Sequence, residues 1–162
     1  MVQAQDLQTA VHPLEPLSEE EVEAAVAIVK EDSRVTASCR FVTVVLNEPG
    51  KQTVSDHRPG DLVEREAFVI LLDNGSGECV EAVVSLSASA VTAWEWLEGV
   101  HPPIMVDEFV ECEEAVKRSP EFIEALRKRG VEDVDLVMVD PWSAGAYGVE
   151  PASDGGKRLS RA

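Results

Sequence analysis

The sequence predicts an α+β fold made of two small domains. Three observations carry this reading. One helix-period apolar stripe lies between residues 18 and 32, four short apolar runs separated by turn residues follow between 41 and 97, and helical spacing returns after Pro102-Pro103. The first domain, 18–99, is expected to be one helix packed on a four-stranded antiparallel meander sheet, a cystatin-like arrangement. The second, 100–162, is expected to be of the same type, truncated at its C-terminus, with 1–17 an irregular arm carrying Pro13 and Pro16. A chain of 162 residues, 44% of them apolar, is long enough for one core or two small ones.

Ser18 is a good N-cap, and Glu21 three residues on completes a capping box. Val22, Ala25, Val26 and Val29 then fall on one face, so a helix is expected over 18–32. Phe41 to Leu46 is a short β-branched run that Glu48-Pro49-Gly50 ends. The polar stretch 47–65, with a second Pro-Gly at 59–60, predicts a long loop. Ala67 to Leu72 predicts a strand, Asp73-Asn74-Gly75-Ser76-Gly77 a hairpin turn, and Val80, Ala82, Val84 and Leu86 the buried face of the next strand. Cys79 is placed on that strand's outward face. Ala90 to Leu97 is a fourth strand with Trp94 and Trp96 on one side.

After the 99–103 linker, Phe109, Cys112 and Val116 follow helical spacing. Ser119-Pro120 reads as an N-cap and N1 proline opening a second helix, with Lys128, Arg129 and Gly130 at its end. Asp135 to Val139 predicts a short strand, whose backbone groups need partners from the first sheet or from beyond residue 162.

Charge excludes several functions. Fourteen Lys and Arg against 31 Asp and Glu give −17, which disfavours nucleic acid and anionic membrane surfaces as partners. No apolar run approaches the roughly 20 residues of a membrane span, and no cationic residue precedes Lys30 as a secretory leader would require. Cys39, Cys79 and Cys112 are odd in number and far apart, so a reducing, cytoplasmic setting is expected without disulfides.

Chemical motifs are scarce, and no catalytic, cofactor-binding or metal residue is predicted. His12, His57 and His101 lack metal-ligand spacing, and there is no Cys-x-x-Cys. Gly75-Ser76-Gly77 lacks the third glycine of a dinucleotide loop and leads into a strand. Glu111, Glu113 and Glu114 read as a solvated helix face. Asp56-His57 would need Cys39 or Cys79 beside it to make a nucleophilic site, and Cys79 has no cationic neighbour in sequence. Trp94 and Trp96 read as packing against a helix or neighbour, whereas Trp142, in a turn, fits an interface or pocket wall.

Three stretches carry a family resemblance. His12-Pro13-Leu14-Glu15-Pro16-Leu17-Ser18, Pro102-Pro103-Ile104-Met105-Val106-Asp107-Glu108-Phe109 running on to Glu114, and Asp135-Leu136-Val137-Met138-Val139-Asp140-Pro141-Trp142-Ser143-Ala144-Gly145 together resemble copper-containing amine oxidases. The likeness is to the two small α+β domains that precede the catalytic domain. It implies a parent enzyme that oxidises primary amines to aldehydes, releasing ammonia and hydrogen peroxide, with copper and topaquinone. It also implies a homodimeric parent, and a missing C-terminal catalytic domain as this chain's partner. Tyr147, the sole tyrosine, sits in Ala-Tyr-Gly and not in the topaquinone precursor sequence Asn-Tyr-Asp/Glu, and no His-x-His copper pair is present. By resemblance alone, Phe109 and Trp142 would wall the amine access channel. The alternative is a stand-alone acidic α+β interaction module that uses its Trp face.

Overall fold

The computed structural model describes residues 12–143 and 158–162. The chain divides into two compact units, Met1–Pro102 and Pro103–Ala162.

In the first unit, helix α1 spans Glu19–Glu31. Its N-terminus is the expected box: the Glu21 N–H donates to Ser18 Oγ at 3.3 Å, and the Ser18 N–H donates to the Glu21 carboxylate at 2.9 Å. Four antiparallel strands follow in a simple meander: β1 Cys39–Leu46, β2 Glu66–Asp73, β3 Cys79–Ser85 and β4 Ala90–Leu97. The β2–β3 hairpin closes with the Gly77 N–H on the Asp73 carbonyl at 2.7 Å. Gly77 has φ +79°, a conformation that costs glycine little and other residues more.

The core follows the period-2 rule. Ala67, Val69 and Leu71 of β2 face Val84, Ala82 and Val80 of β3, and all six are buried with Ala25 and Val29 of α1. Phe41, Val44 and Trp94 extend this layer from the two outer strands.

Two local expectations change. The stretch 47–65 contains a short helix, α2 Lys51–Asp56, held by the Gln52 amide on the Asp56 carboxylate at 2.8 Å. Cys79 does alternate away from the core row of β3, but it is buried there, in register with Leu72 and Leu97. Residues 12–17 hold no helix or strand, yet they are anchored: Pro13 is buried, and the Arg65 guanidinium donates to the carbonyls of Glu15 at 2.8 Å and Pro16 at 3.0 Å.

The second unit holds α3 Val106–Lys117 and α4 Pro120–Arg127. Ser119 Oγ accepts the Phe122 N–H, and Pro120 opens α4 as expected. Where Asp135–Val139 was expected as a strand, a 3₁₀ turn, Val134–Leu136, forms instead. Asp133 accepts the Asp135 N–H at 3.0 Å and so diverts the chain into a local turn. The described strands of this unit are β5 Trp142–Ser143 and β6 Ser160–Arg161, paired antiparallel. Among the described residues no helix is long and apolar enough to cross a membrane.

Candidate functional site

Arg65 and Glu21 form a buried ion pair in the first unit. Arg65 Nε and Nη2 each donate to a Glu21 carboxylate oxygen at 2.8 Å, and the residues are 3% and 5% exposed. These bonds hold the Glu21 carboxyl below its usual range, against burial, which pushes it up. The other side-chain bonds of the pair go to backbone: the Ser18 N–H at the cap of α1 donates to Glu21, and the Glu15 and Pro16 carbonyls accept from Arg65.

A cleft of ≈ 360 Å³ is lined by His12, Val54, His57, Pro59 and Gly60. The imidazoles of His12 and His57 meet edge to face with centroids 5.6 Å apart. His12 Nδ1 accepts the Leu14 N–H at 3.2 Å, and Asp56 is engaged by Gln52. Neither Cys39 nor Cys79 lines this cleft, so the Asp56-His57 pair meets no nucleophile there.

Trp94 and Trp96 do share a face of β4, with ring centroids 5.8 Å apart. Trp94 packs on the core with the Arg34 guanidinium 4.3 Å from its ring centroid, while Trp96 is 46% exposed. The Trp94 indole N–H is buried with no hydrogen-bond partner among the described residues.

In the second unit, Phe109 lies half-buried on α3, and Trp142 lies on β5, 69% exposed, its indole N–H donating to Asp140 at 3.1 Å. The two rings form no stacked or edge-to-face pair among the described residues. What fixes the start of α3 is Arg158, which donates twice to the Glu108 carboxylate at 2.7 Å and once to the Pro103 carbonyl at 2.8 Å. Local sequence patterns gave no signal for this contact, because its partners lie 50 residues apart. Glu113 pairs with Lys117 at 2.8 Å and Glu114 with Arg118 at 3.3 Å, the ordinary i, i+4 pairs of a solvated face. The Lys117 ammonium holds the Glu113 carboxyl below its usual range.

Among the described residues no three His, Cys, Asp or Glu side chains converge on a point where a metal could sit. Tyr147 lies outside the described residues. The donors described thus assemble no copper ligand set.

Comparison with known proteins supplies what the geometry lacks. Residues 18–93 match the AGAO-like N2 domain, and residues 107–162 match the copper amine oxidase N3 domain. A primary amine oxidase of Arthrobacter sp. (strain P1) is 47% identical over 152 residues, covering 93% of this chain and 22% of that protein. The peroxisomal N-methylputrescine oxidase 1 of Nicotiana tabacum is 35% identical, covering 84% of this chain and 22% of that protein. A copper-containing benzylamine oxidase of Hansenula polymorpha superposes with a TM-score of 0.63 at 19% identity, covering 83% of this chain and 22% of that one. This last likeness is one of fold. The chain thus spans about a fifth of the length of the relatives it matches.

Proposed function

Because the chain belongs to the copper amine oxidase family, as its N-terminal N2-type and N3 domains, we propose that it is the non-catalytic front of a primary amine oxidase. The parent would convert a primary amine, dioxygen and water into an aldehyde, ammonia and hydrogen peroxide. Copper and topaquinone would belong to a catalytic domain further along the same polypeptide. The carrying observation is that two successive family domains account for most of the chain, while its relatives are more than four times as long.

In this reading the chain's part is shape and not chemistry. Phe109 and Trp142 would line the path by which the amine reaches the catalytic domain, and apolar aromatic walls select by packing. The exposed ring of Trp142 supports that role. The two domains would also contribute to the parent's homodimer. Cys39, Cys79 and Cys112, with no disulfide among them, suit a reducing, cytoplasmic setting.

The test is direct. The polypeptide encoded by the whole gene is expected to release peroxide from a primary amine and to bind copper stoichiometrically. The isolated 162-residue chain is expected to do neither. Peroxide release by the isolated chain, or a full polypeptide that lacks amine oxidation, would overturn the reading.

A further inference from the structure

Helix α3 has a weak start of its own. Its N-cap is Met105, whose side chain carries no oxygen to accept a first-turn N–H. Glu108 reaches back instead and accepts the Met105 N–H at 2.7 Å. The Arg158 guanidinium grips the same carboxylate at both oxygens, through Nε and Nη2 at 2.7 Å, and Nη2 also donates to the Pro103 carbonyl. These two side chains are 22% and 16% exposed, against 72% and 61% for the Arg118–Glu114 pair at the far end of α3. A forked, charge-assisted contact shielded from water holds one geometry, whereas an exposed pair holds little.

Each half of this clasp leads along the chain to one of the two aromatic residues. Phe109 follows Glu108 directly on α3. Arg158 stands two residues before β6, where Ser160 pairs with Ser143 and Arg161 with Trp142. A ladder of two residue pairs fixes little by itself, so where β6 lies depends on what anchors the chain just before it. The bonds from Arg158 to Glu108 and Pro103 supply that anchor. We propose that Arg158, acting through Glu108, is a positioning residue for amine selectivity: it sets the start of α3, and with it Phe109, against the β5–β6 ribbon that carries Trp142. This rests on the reading that Phe109 and Trp142 line the amine's path. In this role the clasp touches no substrate and acts only through the two rings.

The experiment uses the polypeptide encoded by the whole gene and measures kcat/KM for a bulky aromatic and a small aliphatic primary amine. Arg158→Gln is expected to change the ratio of the two values by at least about threefold. Arg158→Lys, which keeps the charge but loses the fork, is expected to change it in the same direction by less. With Phe109→Ala and Trp142→Ala already in place, Arg158→Gln is expected to leave the ratio where those two changes put it. An unchanged ratio with both rings present, or an equal change with both rings absent, would overturn the proposal and leave Arg158 a purely structural clasp. If Arg158→Gln does not fold, Arg158→Lys carries the same two comparisons. An unsubstituted polypeptide that oxidises neither amine overturns the functional reading and the proposal with it. An active polypeptide whose selectivity ignores Arg158 overturns the proposal alone.

Discussion

Arg65 reaches across from the start of β2 to grip Glu21 in the first turn of α1 through two 2.8 Å bonds, and both side chains are buried. Glu21 also caps the Ser18 N–H, and Arg65 also holds the Glu15 and Pro16 carbonyls. One ion pair thus joins helix, sheet and N-terminal segment. Removing either partner strands the other charge away from water, which typically costs about 3–5 kcal/mol. Arg65→Met and Glu21→Gln should each lower the urea midpoint, Arg65→Met more, since it also frees two carbonyls. The double variant should lose less than the sum of the singles. Additive losses would show that the two groups do not act together.

Asp32 gives a pH prediction. Its carboxylate is bound by the Arg34 guanidinium at 2.8 and 2.6 Å, and by the Arg34 backbone N–H, which pull it from 3.8 to about 2. A carboxyl depressed on folding stabilises fully above its unfolded value, and that stabilisation is lost as pH falls through the folded value. The stability gap between the natural protein and Asp32→Asn should therefore be constant from about pH 5 to 7 and close between about pH 4 and 2. Urea titrations of both proteins across that range check it. A gap that persists at pH 2 would remove the Arg34 pairing as its cause.

Two tryptophans on one strand face should behave differently. Trp94 packs on the core under Arg34, whereas Trp96 stands at its rim. Trp94→Ala should cost about 3 kcal/mol and Trp96→Ala less than about 1 kcal/mol. Trp94→Phe should cost much less than Trp94→Ala, because it also deletes a buried N–H that has no acceptor among the described residues. Equal losses for Trp94→Phe and Trp94→Ala would show that this orphan N–H carries no penalty.

Phe109 and Trp142 can be tested in the full polypeptide. If they wall the amine path, Phe109→Ala and Trp142→Ala should alter kcat/KM between a bulky aromatic and a small aliphatic amine by about 10-fold, the scale of one or two apolar contacts. Copper content and quinone absorbance should stay unchanged. Identical shifts for both amines would assign these residues to packing alone.

Much of the fold was legible in the chain's local patterns. Ser18 and Glu21 marked the start of α1, Ser119-Pro120 marked α4, and the alternation of Val80, Ala82 and Val84 gave the buried face of β3. These signals are local, since caps, turns and periodicity act within a few residues. The errors came where a local pattern met a longer-range constraint or an unnoticed short-range one. Cys79 alternates away from the core row, yet it is buried, which its neighbours in sequence do not signal. The Leu-Val-Met-Val run looked like a strand throughout, but Asp133 captured its first residues in a turn.

The sequence by itself determined the α+β class, the capped starts of α1 and α4 and the order of the four-stranded meander. Its motif matches pointed to the amine oxidase family. Tertiary structure decided which charges are buried and what they hold. Glu21 looked like one acid among the many on α1, and Arg65 like a loop residue, until folding brought them together across 44 positions. It also decided that residues 12–17 are tied to the first unit, and that Leu136 and Met138 stand uncovered. The physical reason is range. Propensity and capping are written in neighbouring residues, while burial and ion pairing depend on which distant segments the fold brings into contact.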